Sequence, residues 1–207
     1  MKQSIILRMD MENSKRVEKL RQQYRNILRM FSNVGNYDGY FIGKVSLEFN
    51  PAADAGKMSE NQAHIIKSRE NYAELAASGD FADGYLSIHM YLMKPVSKAT
   101  AQSNYGVQNK RDVPNKCTPD MIFYKSEILS FVSDTGDSNP IHQGEHPVVP
   151  GLLILEKLIL DFMHSFVIRF RTPLYADELV RLVPHKASGR MDGYRGSDGV
   201  ELFSCKY

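Results

Sequence analysis

The sequence predicts an α+β fold in which an antiparallel sheet curls around one long buried helix. The helix is predicted from Pro150 or Gly151 to Met163, because apolar residues cover nearly its whole circumference and such a helix is buried on most sides. Four strand-like segments follow it, separated by glycine and proline: 166–170, 178–183, 189–194 and 200–207. Short strands joined by tight turns favour an antiparallel sheet, and these strands are close enough to wrap the helix.

The chain begins with a second helical pattern. A short apolar run at residues 3–9 is read as a strand, and a helix is predicted from Asp10 or Asn13 to about Phe31, because apolar residues recur every three or four positions. Its other face is basic and is interpreted as a solvated surface, with a membrane surface, an acidic partner or phosphate as the alternative ligand. The basic residues are Lys15, Arg16, Lys19, Arg21, Arg25 and Arg29.

Two strands and a further helix are predicted next. Residues 40–49 alternate as a strand interrupted at Gly43, and residues 85–93 alternate more regularly, with His89 on the outer face as a surface or packing residue. Between them, Ser59 and Gln62 resemble a capping box, which predicts a helix to about Ala77.

A possible domain boundary lies in the middle of the chain. Residues 96–120 are poor in large apolar groups, which is typical of a linker or long loop. The predicted organisation is therefore an N-terminal α+β part at 1–95, the linker, and a C-terminal domain at 121–207 that starts with a short helix. No repeat of the first part is evident in the second.

Composition excludes several classes of protein. The net charge of +2 over 207 residues gives no nucleic-acid signal. Cys117 and Cys205 form no CxxC pair, so neither a disulfide framework nor a zinc site is predicted. Charge interrupts the N-terminal apolar run too early for a signal peptide, and no apolar stretch reaches the roughly 18 residues that span a bilayer. A cytoplasmic protein with no membrane partner and no cofactor is expected.

The polar stretch DTGDSNPIH, residues 134–142, comes directly before the buried helix and is the candidate active site. It holds Asp137, Asn139 and His142, while Asp134 is interpreted as a cap or turn residue. The residue types alone also fit plain turn formation, in which Asp137 and Asn139 bond to nearby backbone.

A metal site is the weaker interpretation of the same stretch. Asp134, Asp137 and Asn139 are oxygen ligands at close spacing, but the later glutamate of a calcium loop is missing and Pro140 interrupts the loop. His142 and His146 are four apart, yet the glycine and proline around them disfavour a zinc-binding helix. No metal is therefore predicted.

Three segments together resemble the MaoC-like, (R)-specific enoyl-CoA hydratase family: FVSDTGDSNPIH at 131–142, PGLL at 150–153, and IRFRTPLYADELV at 168–180. The resemblance covers roughly residues 121–207 and implies the hot-dog fold, a long helix wrapped by an antiparallel sheet, as well as a homodimer. It assigns Asp137 and His142 as the catalytic pair, Asn139 as the asparagine between them and Gly151 as the glycine at the helix start. For residues 1–95 it leaves either a degenerate second hot-dog or an α/β extension.

The chemistry of hydration suits these residue types. A histidine and an aspartate can deprotonate water and exchange a proton at the α-carbon, and N–H groups at a helix start can stabilise the enolate oxygen. Gly151 would let the substrate approach closely. Further substrate contacts are assigned to Asn139, Pro150 and Leu152. Contacts with CoA phosphates are assigned to Arg169, Arg171 and Arg181.

The predicted function is a hydratase or dehydratase of enoyl or 3-hydroxyacyl thioesters of CoA or acyl-carrier protein. The alternative is a non-catalytic hot-dog protein that binds or senses acyl thioesters, and a thioesterase is a third option. The segment Gln143–Pro150 bears on this choice, because the family carries a longer segment there that ends in His-Gly, whereas Pro150 replaces that histidine here.

Overall fold

The computed structural model describes residues 2–35, 37–51, 61–94, 120–162 and 164–207. In the first half, helix α1 is followed by four strands: α1 Lys2–Arg29, β1 Phe41–Pro51, β2 Gln62–Arg69, β3 Tyr72–Phe81 and β4 Gly84–Met93. In the second half, a short strand and helix precede the buried helix α3 and four further strands: β5 Met121–Ile122, α2 Lys125–Thr135, α3 Gly151–Phe162, β6 Phe166–Phe170, β7 Leu179–His185, β8 Arg190–Arg195 and β9 Glu201–Lys206. No helix in these ranges is both long and apolar enough to cross a membrane.

The strands of the described residues form one antiparallel sheet in the order β2-β3-β4-β1-β6-β9-β8-β7-β5. Strands β1 and β6 pair at the centre and join the two halves. Outward from this junction, each half runs through the first, fourth, third and second strand after its helix. The halves therefore share one topology, although their sequences show no evident repeat. The α+β fold with a curled antiparallel sheet around a buried helix is confirmed.

The second half follows the predicted pattern closely. Helix α3 is buried along most of its described length, and β6 to β9 lie within one or two residues of the four predicted strands. The short helix predicted before the polar stretch is α2, which continues to Thr135. Apart from Asp120, the predicted linker lies outside the described residues, so the division into two domains stays a prediction.

The helix predicted up to Ala77 is wrong, because that segment forms the hairpin of β2 and β3; Ser59 lies outside the described residues. Strand β3 alternates buried and less buried positions, with small side chains such as Ala73 and Ala77 facing inward. These small residues leave room for α1, since a Cβ built on Gly79 would lie 3.0 Å from Ile27 Cγ1. Packing against the helix thus overrides the helix propensity of an Ala- and Glu-rich segment.

Of the other predictions for the first half, one strand is wrong and another is confirmed. The strand at 3–9 is wrong, because α1 begins at Lys2. Strand β4 is confirmed, and the interruption at Gly43 is a shift in the β1–β4 register between Ile42 and Lys44. His89 lies on the outer face, where its Nε2 is 2.8 Å from a carboxylate oxygen of Glu74.

The basic face of α1 is only partly a solvated surface. Arg25 is buried and pairs with Glu156 of α3 and with Asp134 of α2. Arg29 donates to the backbone carbonyl of Asp134. The interpretation holds for the residues nearer the start of the helix, which are exposed: Lys15, Arg16 and Lys19.

Candidate active site

The polar stretch is built from a helix end and a following turn. Helix α2 ends at Gly136, whose φ of +70° is the left-handed conformation that favours glycine. The next N–H, that of Asp137, donates to the carbonyl of Val132 at 3.1 Å, which reverses the chain. A 3-10 turn then spans Pro140–His142, with Asn139 as its N-cap. The helix end and the turn bring Asp137 and His142 together.

Asp134 has a different role from the cap or turn that the sequence suggested. It lies in the last turn of α2, and its carboxylate pairs with Arg25 Nη1. It therefore ties α2 to α1 and takes no part in the turn that carries Asp137 and His142.

The Nε2 atom of His142 lies 3.5 Å from Oδ2 of Asp137. The other ring nitrogen, Nδ1, is 2.8 Å from the carbonyl oxygen of Val148. A carbonyl can only accept, so in the neutral ring Nδ1 carries the hydrogen and Nε2 is left unprotonated. The His142 side chain is 9% exposed and that of Asp137 is 29% exposed, so the histidine nitrogen is buried and faces a carboxylate that water can still reach.

Asn139 holds this loop through backbone contacts. Its Oδ1 accepts from the N–H groups of Gly39 and Ile141, at 3.3 and 3.4 Å, and its Nδ2 donates to the carbonyl of Tyr40 at 3.0 Å. The Asn139 N–H in turn donates to Asp137 Oδ1 at 3.0 Å, so the expected aspartate turn is also present. Asn139 borders the cavity, and backbone groups occupy its amide. Its assignment as a substrate contact stays a prediction.

A cavity of about 760 Å³ opens beside Asp137 and His142, within the roughly 300–1,000 Å³ of ligand pockets in general. Its apolar walls come from both halves of the chain. They include Leu28, Phe31, Leu75, Met90 and Leu92 from the first half and Phe131, Leu152, Ile154, Phe170 and Phe203 from the second. A degenerate hot-dog half at residues 1–95 would bind the acyl chain by the resemblance, but the strand pattern itself did not indicate it, because alternating apolar residues look the same whether they line a cavity or fill a core.

The start of α3 borders the same cavity through Gly151 and Leu152. The first N–H groups of an α-helix have no partner within the helix, and the helix dipole makes this end partly positive. The ring of Phe170 lies directly over Gly151, since an added Cβ would be 2.8 Å from Phe170 Cζ. The need for glycine here thus includes close packing with Phe170, which the sequence did not reveal.

The remaining residues predicted to contact the substrate differ in whether they line the cavity. Pro150 is buried but is not among the residues that line the cavity, and its carbonyl accepts from the N–H groups of Leu153 and Ile154. Arg169 is exposed on the face of β6 opposite to the buried Ile168, so it lies away from the cavity. Arg171 does line the cavity, and its side chain is about half exposed. Among the arginines assigned to the carrier, Arg171 borders the cavity, whereas Arg169 and Arg181 do not.

The helix start is anchored from the first half. The hydroxyl of Tyr24 in α1 donates to the carbonyl of Leu152 at 2.9 Å. Burial, and secondly the charge of Glu156, raise the pKa of Tyr24 well above its ordinary value, so the hydroxyl stays protonated as a donor. Among the described residues, no three His, Cys, Asp or Glu side chains are grouped so that they could hold a metal ion.

Solved structures share this architecture. Two crystal structures of HtdX from Mycobacterium tuberculosis match with TM-scores of 0.59 and 0.58 at 10% and 12% identity, covering 94% of this chain and 94% and 93% of theirs. Full-length peroxisomal multifunctional enzyme type 2 from Drosophila melanogaster matches with a TM-score of 0.49 at 14% identity, over 80% of this chain and 36% of its own. No family model matches the sequence, and comparison with curated proteins gives no match. The chain therefore has the hot-dog fold, and at such identities the likeness is one of fold alone.

Proposed function

We propose that this protein is a MaoC-like hydratase or dehydratase of enoyl or 3-hydroxyacyl thioesters carried by CoA or acyl-carrier protein. The observation that carries the proposal is the geometry of Asp137 and His142. The Nε2 atom of His142, unprotonated in the neutral ring, faces a carboxylate oxygen at 3.5 Å at the edge of a largely apolar cavity. A water molecule beside this pair, on the cavity side, could donate one hydrogen to each acceptor and would be oriented by both.

In the hydration direction, this water adds across the double bond of the substrate. His142 Nε2 takes a proton from the water as its oxygen bonds to the β-carbon, and the π electrons move toward the thioester to form an enolate. The first N–H groups of α3, at Gly151 and Leu152, stabilise the negative oxygen. The α-carbon then takes a proton from the acid form of the Asp137–His142 pair, so that H and OH have been added and the pair returns to its starting state.

The cavity supports an acyl group longer than four carbons as the substrate. Its walls run from the catalytic pair to Leu75, Met90 and Leu92 of the first half, all of which are apolar. Burial of each methylene contributes about 0.8 kcal/mol, so longer chains should bind more tightly until the cavity is filled. Arg171 at the cavity would meet an anionic carrier.

The test is hydration of crotonyl-CoA and trans-2-decenoyl-CoA, followed as loss of the enoyl absorbance. His142→Ala should lower kcat by about 10²- to 10⁴-fold, the usual contribution of a general base. His146→Ala is the matched control, because this second histidine is four residues away and exposed, and it should keep full activity. Turnover that His142→Ala leaves intact would reject the proposed role. Release of free thiol would indicate a thioesterase instead.

One observation favours the alternative of a non-catalytic acyl-thioester protein. The bridge Gln143–Pro150 is shorter than the segment that the resemblance leads one to expect, and residues 143–146 within it are exposed. The discriminating measurement is calorimetric binding of decanoyl-CoA, a saturated thioester that cannot be hydrated. Tight binding together with no turnover of either enoyl-CoA would favour a binding or sensing role.

A further inference from the structure

A turn of the first half, residues 37–40, lies against the catalytic loop of the second half. Three side-chain contacts join them across about a hundred positions of sequence. Asn139 Oδ1 accepts from the Gly39 N–H at 3.3 Å, and Asn139 Nδ2 donates to the Tyr40 carbonyl at 3.0 Å. Ser138 Oγ donates to Asp38 Oδ1 at 3.1 Å. The loop that carries Asp137 and His142 is therefore bonded to the backbone and side chains of this turn.

The turn has its own internal support. The Tyr40 N–H donates to the Tyr37 carbonyl at 3.0 Å, and Gly39 adopts a φ of +77° that favours glycine. The rings of Tyr37 and Tyr40 pack edge to face with centroids 5.5 Å apart. The Tyr40 hydroxyl donates to the Glu70 carbonyl at 2.8 Å, which fastens the turn to the β2–β3 hairpin. These contacts give the turn a defined geometry to which the catalytic loop can be fitted.

The same turn forms part of the cavity wall. Tyr37, Asp38 and Tyr40 line the cavity together with Asp137 and His142. The short bridge after His142 contributes only its last part to this wall, at Val148 and Val149, whereas residues 143–146 are exposed. The turn of the first half therefore forms part of the cavity wall, to which the short bridge of the second half contributes only two residues.

We infer that the Tyr37–Tyr40 turn is an integral part of the catalytic site, and that Asn139 is the positioning residue that sets the Asp137–His142 loop against it. The catalytic consequence rests on the proposed function, whereas the coupling between turn and loop stands on the contacts alone. Asn139 bonds to both segments at once: to Gly39 and Tyr40 of the first-half turn, and to Ile141 of its own loop. Loss of its amide should let the two segments separate and disorient the pair.

The experiment compares Asn139→Ala with Asn61→Ala, a control in which another asparagine accepts from a backbone N–H, that of Asp80 at 3.3 Å, within the first half. The readouts are hydrogen exchange at the Gly39 amide, and kcat and KM for trans-2-decenoyl-CoA. Asn139→Ala should speed exchange at Gly39 and lower kcat by about 10- to 100-fold, with a smaller change in KM, because misplaced catalytic groups cost turnover more than binding. Asn61→Ala should change neither quantity.

A second pair of variants tests the same coupling from the turn. A Cβ on Gly39 would meet no atom within 4 Å, so the main effect of substitution there is on the backbone conformation that presents the Gly39 N–H to Asn139. Gly39→Val should lower kcat because a β-branched residue disfavours positive φ, and Gly39→Asn should restore it because asparagine tolerates that conformation. Both variants keep the sequence of the catalytic loop unchanged. They therefore test the coupling even if Asn139→Ala fails to fold.

Two results would overturn the inference: unchanged exchange at Gly39 in Asn139→Ala, or faster exchange with unchanged kcat. Failure of the proposed function is a separate result, seen when His142→Ala is as active as the wild type. In that case the dissociation constant of decanoyl-CoA replaces kcat as the readout. This dissociation constant should rise about tenfold in Asn139→Ala if the turn forms part of the wall of the site. An unchanged dissociation constant would show that the turn is not part of the site.

Discussion

Arg25 of α1 donates to both carboxylate oxygens of Glu156 in α3, from Nε and Nη2, at 2.8 Å each. The two residues are 8% and 3% exposed, so the pair is almost fully desolvated. It joins helix α1 of the first half to the buried helix α3 of the second. On α3, Glu156 lies one turn after Leu152, whose carbonyl accepts from the Tyr24 hydroxyl. Forked geometry of this kind is what a buried pair needs to offset its desolvation.

Breaking this pair from one side should be costly. Glu156→Leu leaves the Arg25 guanidinium without its main partner, and such a loss typically costs about 3–5 kcal/mol of unfolding free energy. Adding Arg25→Met should recover most of the loss, because the unpaired charge is then gone. Urea unfolding of the wild type, both single variants and the double variant gives the coupling free energy between Arg25 and Glu156.

The half-exposed pair of Lys157 and Glu127 is the control for this cycle. Glu127→Gln should cost less than about 1 kcal/mol, as is usual for ion pairs in contact with water. If Glu156→Leu costs no more than Glu127→Gln, the Arg25–Glu156 pair does not hold the two halves together.

The proposal that the first half binds the acyl chain can be tested by filling the cavity. Leu75 and Ile88 are both buried in the first-half sheet, but only Leu75 lines the cavity. Leu75→Phe should weaken binding of decanoyl-CoA by about tenfold while sparing crotonyl-CoA turnover, because the ring takes up space that only a long chain needs. Calorimetry and the absorbance assay give the two quantities.

Ile88→Phe is the matched control, since it adds the same kind of ring at a buried site away from the cavity. Overpacking costs typically 1–3 kcal/mol of stability in either variant, so stability alone would not separate them. Equal loss of decanoyl-CoA binding in both variants would show that the effect comes from general destabilisation and that the cavity does not hold the chain.

The sequence located the candidate site better than it located the fold of the first half. The DTGDSNPIH stretch and the start of α3 were found from local signals: clustered polar residues, turn formers and an apolar helix. Glu156 is a charged residue within that apolar helix, but its partner Arg25 is 131 positions away, and nothing in the local sequence links the two. The Asn139 contacts with Gly39 and Tyr40 were hidden for the same reason.

The hairpin of β2 and β3 was missed for a different reason. Three of its inward positions on β3 are small, at Ala73, Ala77 and Gly79, and at Gly79 helix α1 packs closely. Small residues have weak strand signals, and alanine favours a helix when considered locally. Packing against the neighbouring helix therefore decides the secondary structure of this segment, and the periodicity of its sequence alone does not predict it.

Cys205 should make the stability of the protein sensitive to alkaline pH. Burial raises the pKa of its thiol from 9.0 to about 12. The folded state therefore keeps its proton between pH 9 and 12 while the unfolded state loses it, so stability is full below pH 9 and falls as pH rises through this window. Between pH 8 and 10 the wild type should lose about 1.4 kcal/mol more than Cys205→Ala. Urea unfolding at both pH values measures this, and equal losses in the two proteins would contradict it.

The packing of Gly151 against Phe170 and its proposed catalytic role can be separated by a paired substitution. In Gly151→Ala the new Cβ would lie 2.8 Å from Phe170 Cζ and 3.0 Å from Phe170 Cε2, so the ring must shift. We expect lower stability and a kcat for trans-2-decenoyl-CoA reduced by about 10- to 100-fold, because the thioester oxygen is kept from the N–H groups of α3.

Phe170→Leu in the Gly151→Ala background removes the ring that the new methyl group meets. Thermal unfolding should then show recovered stability, since the steric conflict between the two side chains is gone. The kcat should stay low, because the methyl group still covers the helix start, and Phe170→Leu alone supplies the reference for any effect of losing the ring. Full recovery of kcat in the double variant would mean that glycine is required at 151 only to accommodate Phe170, and the enolate site would have to be sought elsewhere along the cavity.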